Sequence, residues 1–213
     1  MNSGLFITVE GIEGVGKTTN IQFIADWLTA KQIPFITTRE PGGTPLAEEI
    51  REVLLSPREE PVDDTTELLL MFAARAQHLA ALIKPTIAKG HWVLCDRFTD
   101  ATYAYQGGGR GLPMATIAQL EQLVQQSFRP DAVILLDVPA EVGLRRAGKR
   151  GALDRIEKEQ ASFFDKVRQC YLARAQQSPQ IYHVVDASQD LAGVQRQLAQ
   201  VLTLIHERYS SAG

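Results

Sequence analysis

Cysteine is scarce: Cys95 and Cys170 are the only two in 213 residues. Their placement offers neither a disulfide framework nor a metal-ligand spacing, and it points to reduced thiols in a cytoplasmic protein. The opening stretch, MNSGLFITVE, lacks a basic start, a long apolar run and a small-residue cleavage site, so no signal peptide is expected. No apolar run approaches the roughly 20 residues of a membrane span, and no membrane partner is expected. Charge of one sign is also lacking: a net charge of −3 gives no support for general nucleic-acid binding. No repeat, linker or low-complexity stretch divides the chain. With 45% apolar residues, the whole of 1–213 reads as a single α/β domain.

Five short runs rich in Val, Ile and Phe read as strands, at 5–10, 34–39, 92–96, 132–138 and 181–187. They are nearly continuous rather than alternating, which predicts strands buried on both faces. Helical periods separate them, at 18–31, 46–55, 66–89 and 114–128, and a last helix carries Leu191, Val194, Leu198, Val201 and Ile205. Strand–helix alternation of this kind predicts a parallel sheet with right-handed crossovers.

The strongest chemical signal follows the first strand. Gly11-Ile12-Glu13-Gly14-Val15-Gly16-Lys17-Thr18 fits the phosphate-binding P-loop. Such a loop turns sharply into a helix, aims backbone N–H groups at a phosphate and adds the positive end of the helix. Lys17 can reach the β- and γ-phosphates, and the Thr18 hydroxyl can ligate Mg²⁺. The Asn-Lys-x-Asp base-reading motif of GTPases is missing, which favours a kinase over a switch.

The acceptor side is read from several weaker signals. Asp96, ending the third strand, lies where a parallel sheet meets its ligand and can orient Mg²⁺, with Arg97 beside it for a phosphate. Asp137, ending the fourth strand, is a rival by pattern. The turn after the second strand, Arg39-Glu40-Pro41-Gly42-Gly43-Thr44, can aim side chains into the same cleft. Phe72 and Arg75 share a helix face, as an aromatic that stacks on a base and a guanidinium that bonds its edge would. Gln106 offers a donor and an acceptor to a pyrimidine edge; the other reading of Thr102–Gly111 is a helix end followed by a flexible loop. Five cations, Arg145, Arg146, Lys149, Arg150 and Arg155, crowd the segment 142–155 with glycines interspersed, where a mobile lid could close on phosphates.

Together these segments resemble the bacterial thymidylate kinases, over essentially the whole chain. The resemblance rests on EGIEGVGKTT at 10–19, REPGGT at 39–44, FAAR at 72–75, CDRF at 95–98, AYQGGGRG at 104–111 and RG…LDRIE at 150–157. It implies transfer of the ATP γ-phosphoryl group to dTMP, a three-layer P-loop kinase fold with strand order 2-3-1-4-5, and a homodimer packed through helices. ATP and Mg²⁺ would be held by residues 11–19, including Thr19, with Thr18 and Asp96 toward the metal. Glu13 would contact the sugar 3′-hydroxyl and Arg97 would grip the dTMP phosphate. Arg75 would bond thymine, Thr102 and Gln106 would read its other edge, and Tyr105 would crowd a 2′-hydroxyl. Arg51 would add a phosphate contact, and Arg39, Glu40 and Phe72 would complete the substrate set. Several relatives carry the stacking Phe four residues before the Arg, where this chain has Met71. Some relatives place a basic residue at the position of Gly14. This chain resembles the group whose catalytic arginine comes from the lid, which implies Arg150 and Arg155.

Overall fold

The computed structural model of the chain describes residues 4–148, 156 and 159–210. Five strands, β1 (Phe6–Glu10), β2 (Phe35–Arg39), β3 (Trp92–Asp96), β4 (Ala132–Asp137) and β5 (Tyr182–Asp186), form one parallel sheet. Their order is β2-β3-β1-β4-β5, as expected. Every strand lies within one residue of the apolar run that predicted it, since terminal residues are the first to lose ladder partners. All five residues of β1 are buried, which explains the unbroken apolar run.

Helices cover both faces of the sheet. On one face Ile7, Val9 and Leu94 pack with Ile24 and Leu28 of α1 (Lys17–Ala30) and with Leu198 and Leu202 of α9 (Leu191–Ser210). On the other, Phe6, Val93 and Cys95 meet Leu79 and Ile83. The remaining helices are α2 (Pro45–Leu55), α3 (Asp64–His78), α4 (Lys84–Ala88), α5 (Thr99–Thr102), α6 (Met114–Gln125), α7 (Ala140–Ala147) and α8 (Ala161–Gln177). Local chemistry starts two of them. Thr44 caps α2 with Pro45 in its first turn, and the Asp63 carboxylate accepts from the N–H groups of Thr65 and Thr66 at the start of α3.

Two stretches differ from the sequence reading. The single helix expected over 66–89 is α3 and α4 joined by a π-helical turn, Leu79–Ile83. The combined stretch Asp64–Ala88, 25 residues, is long and apolar enough to cross a membrane by length and composition only. Glu67, Arg75 and His78 within it are buried against the rest of the chain, and α3 packs on α2 and α6. The second difference is at 102–111. A π-helical segment, Tyr103–Gly109, continues α5 where a flexible loop was the other reading. Its glycines permit close packing on α8: a Cβ on Gly108 would stand 2.8 Å from that of Cys170, and one on Gly109 2.4 Å from the Phe163 ring.

The register places the chemistry. Asp96 lies beside Val9 on one side and Arg39 on the other. The end of β1, the Asp96-Arg97 pair and the Arg39-Glu40 turn therefore gather at the carboxyl edge, where ligands of open α/β sheets bind.

Candidate active site

The loop after β1 leads directly into α1, whose first residue is Lys17. The Lys17 ammonium donates to the carbonyl oxygens of Gly11 (3.2 Å) and Ile12 (3.3 Å). Burial pushes it down to about 8, with Arg97 adding to the fall and Asp96, Glu13 and Glu10 opposing it. The loop thus holds a poorly hydrated cation, the kind of group that phosphate oxygens stabilise. Ile12 and Val15 are buried in the main core, so their backbone is what they offer a nucleotide. Thr18 and Thr19 are exposed on the first turn of α1. Gly14, with φ +74°, rests against α7: a Cβ there would meet the carbonyl oxygen of Gly143 at 1.8 Å. No side chain can occupy position 14 with α7 in this place, which is a steric reason for glycine rather than a basic residue.

Arg97 sits at the centre of a partly buried network. Its backbone is left-handed, φ +68°, a strained state for a non-glycine residue. Its N–H donates to the carbonyl of Val9 at 3.0 Å. Nη2 donates to Glu13 Oε1 at 2.7 Å, Nη1 to the Tyr171 hydroxyl at 3.3 Å, and the guanidinium lies 4.7 Å from the Tyr105 ring centre. The Tyr105 hydroxyl donates to Glu13 Oε2 at 2.6 Å. The Tyr171 hydroxyl donates to Glu10 Oε2 at 2.8 Å, and burial, with Asp100 nearby, raises the Glu10 carboxyl. The two rival carboxylates differ sharply. Asp137 is held by Arg168 of α8 through two bonds of 2.7 and 2.9 Å, whereas Asp96 Oδ1 is buried without a partner.

Beside this network opens a cleft. Glu13, Glu40, Arg51, Arg75, Arg97, Thr102, Tyr105 and Gln106 all contribute to its lining. Arg75, 2% exposed, donates from Nε to Glu40 Oε2 (2.7 Å) and from Nη2 to Thr102 Oγ1 (2.9 Å), and its Nη1 has no partner. Glu40 also contacts His78 Nδ1 at 3.0 Å, whose Nε2 lies 2.8 Å from Thr38 Oγ1. Arg51 donates to the Pro41 carbonyl at 2.8 Å. Gln106 donates from Nε2 to Glu67 Oε1 at 2.7 Å.

A phosphate loop, an arginine beside it and a buried polar cleft next to both describe a phosphotransferase, and comparison with known proteins says which. The sequence model of the thymidylate kinase family matches residues 9–198. The chain belongs to the thymidylate kinase family. It is 61% identical over 200 residues to the thymidylate kinase of Alcanivorax borkumensis, covering 94% of this chain and 96% of that one. It is 60% identical to that of Pseudomonas entomophila, covering 97% and 98%. The crystal structure of thymidylate kinase from Ehrlichia chaffeensis superposes with a TM-score of 0.75 at 33% identity, covering 94% and 99%. The chain is accordingly an enzyme that phosphorylates dTMP to dTDP with ATP as the phosphate donor.

Two of the expected thymidylate kinase positions fall differently in the structure, and the lid arginines lie outside the described residues. Phe72 does not line the cleft. It is 2% exposed and packs with Leu68, Tyr103 and Ile117, its ring centre 4.9 Å from the Arg75 guanidinium. Met71, one residue earlier, turns to the cleft instead, as the four-residue spacing to Arg75 allows. Phe72 therefore supports Arg75 from the core side. Arg39 is also absent from the cleft lining. It ends a strand whose side chains alternate, so Glu40 turns in while Arg39 turns out to pair with Glu48 at 2.9 Å. Of the basic segment 142–155, the portion 142–147 is helix α7, seated on the P-loop through Gly143, and Arg146 donates to the carbonyls of Ala187 and Ser188. Arg150 and Arg155, like Lys149, lie outside the described residues.

Sequence reasoning passed over Glu10, Glu67, His78, Arg168 and Tyr171. Each is a buried or half-buried partner of a residue that it did find. Glu10 stands in the quoted P-loop stretch and could have been noticed as a carboxylate inside a strand buried on both faces; the others carry no local signal.

Proposed function

We propose that the cleft holds dTMP and the P-loop holds ATP, with the following division of roles. Lys17 and the loop N–H groups from Gly11 to Thr19 meet the ATP phosphates. Arg97 holds the dTMP phosphate, presented by Glu13 and Tyr171, and Arg51 adds a second cation. Glu13 and Tyr105 close over the sugar. Arg75, Thr102 and Gln106 read the base, and Glu40 orients Arg75. The attacking group is already a phosphate oxygen, so catalysis rests on positioning and charge neutralisation rather than on a strong general base.

The observation that carries this reading is the orphaned Nη1 of Arg75: a buried donor, on a side chain that lines the cleft, that the protein itself does not satisfy. Thymine offers O4 to such a donor. Cytosine offers an amino group instead, leaving donors opposed at a cost of about 1–3 kcal/mol. Arg75→Ala is therefore expected to reduce the preference for dTMP over dCMP by roughly ten- to a hundredfold. Steady-state kcat/KM for both substrates measures this; equal losses for the two would show that Arg75 positions substrate without reading it.

Mg²⁺ fits the same arrangement. The buried, unpartnered Asp96 Oδ1 has the chemistry of a ligand for a hard cation, and Thr18 stands at the start of α1. Mg²⁺ would be held there by one or two protein groups, waters and phosphates. When bound, Mg²⁺ supplies charge neutralisation at the phosphates.

Arg150 and Arg155, in a lid over about 142–155 of the single domain, are proposed as the catalytic arginines, because Gly14 leaves the P-loop without one. Alanine at either is expected to lower kcat by at least about tenfold with little change in dTMP affinity. Kinetics of both single variants and the double variant test this, and wild-type kcat in all three would place the arginine elsewhere. We further propose a homodimer, supported by exposed Leu69 on α3 and Leu123 on α6, two helices that pack side by side. A cytoplasmic location is supported by two free cysteines. Small nucleotides, not nucleic acid or membrane, are the partners this chemistry requires.

A further inference from the structure

We propose that Glu67, behind the base pocket on α3, fixes which way the Gln106 amide points and so makes the pocket select bases that carry a proton on N3. The inference rests on the reading that Gln106 faces the base.

Glu67 and Gln106 are each 1% exposed, and Gln106 Nε2 lies 2.7 Å from Glu67 Oε1. Among the described residues this is the side-chain hydrogen bond that Gln106 makes. A carboxylate can only accept, whereas the two ends of an amide are opposite in kind. With Glu67 in place the amide –NH₂ must face the carboxylate, and the carbonyl is the end left for a ligand. The flipped amide would bring two oxygens to within 2.7 Å in a buried setting, which is strongly disfavoured. The carboxylate is itself held. Arg110 Nη2 stands 3.5 Å from Glu67 Oε2, and Arg110 is braced by Asp64 at 3.5 Å and by Glu159.

The polarity matters because Gln106 lines the cleft. A carbonyl there accepts from N3–H of thymine or uracil and opposes the N3 lone pair of cytosine. Arg75 can only donate, and Glu40 holds it in place through Nε. Arg75 thus offers one side of the base a donor, and Gln106, oriented by Glu67, offers the other an acceptor. Glu67 is a positioning residue, since it acts through Gln106.

The test compares dUMP with dCMP, which both lack the 5-methyl group and differ only at N3 and position 4. Glu67→Gln keeps the shape and removes the constraint, since glutamine can accept from or donate to its neighbour. The kcat/KM ratio of dCMP to dUMP is expected to rise about tenfold. A purely structural role would lower both substrates together and leave the ratio unchanged, which would overturn the inference. The swapped variant Glu67→Gln/Gln106→Glu rebuilds the pair with donor and acceptor exchanged and an acceptor again facing the base. Its ratio is expected to return to the wild-type value, and a ratio that stays raised also overturns the inference. Should Glu67→Gln fail to fold, the swapped variant decides by the same criterion. Gln106→Leu separates the two levels of the argument. An unchanged ratio there would remove the base-reading role of Gln106 itself; a changed ratio beside an unaffected Glu67→Gln would overturn only the role of Glu67.

Discussion

Replacing Lys17 with alanine is expected to lower the rate of phosphoryl transfer by at least about 10²-fold while leaving the fold intact. Lys17 is the first residue of α1 and contributes nothing to the hydrophobic core, so its removal opens no cavity there. Its ammonium is held against the Gly11 and Ile12 carbonyls in surroundings that push it down to about 8. A cation kept partly desolvated before the substrate arrives interacts strongly with phosphate oxygens and needs little reorganisation when charge develops on them. Alanine removes that charge from the transition state, so saturating ATP cannot restore the rate. Turnover at saturating substrates, together with circular dichroism, measures the effect. A variant with an unaltered spectrum and near wild-type turnover would sink the role assigned to Lys17.

The second large effect is expected at Arg97. Its guanidinium is shared among Glu13, Tyr171 and the Tyr105 ring, and its left-handed backbone is held by the bond to Val9. Arg97→Ala would remove the cation proposed to meet the dTMP phosphate and leave the Glu13 carboxylate without its counter-charge. Losing one partner of such a pair costs about 2–5 kcal/mol, so kcat/KM for dTMP should fall by roughly 10²- to 10³-fold. Arg97→Lys should recover only part of this, because a single ammonium cannot serve Glu13 and Tyr171 in the planar arrangement of a guanidinium. Kinetics with dTMP and ATP varied separately will show whether the loss falls on dTMP. An alanine variant with unchanged kcat/KM for dTMP would place the phosphate contact elsewhere.

Both predictions begin from residues that local pattern picked out. The P-loop, the five strands and Asp96-Arg97 could be read from the chain because each is a contiguous segment whose physics is local. A loop that turns a strand into a helix around a phosphate needs glycines at set places, and a strand buried on both faces needs an unbroken apolar run. Arg75, Thr102 and Gln106 were legible only as a combination of motifs, since each alone is an ordinary helix residue.

What remained undecided was set by contacts between segments distant in sequence. Phe72 and Met71 are neighbours on one helix. Which of them meets the cleft depends on how α3 is rotated against α6 and the π-helical segment, and no helical period specifies that rotation. Asp96 and Asp137 end equivalent strands and look alike in sequence; Arg168, 31 residues beyond Asp137, neutralises one and leaves the other with an orphaned oxygen. Gly14 reads as a loop glycine until Gly143 is seen resting against it. Glu67, His78 and Tyr171 lie 39, 38 and 161 residues from the side chains they hold. By itself the sequence determined the family, the sheet and the phosphate loop, because these depend on short-range pattern. Only the tertiary structure decided which buried carboxylate orients which reader of the base, because a buried polar group must find its partner wherever the fold brings one within hydrogen-bond distance.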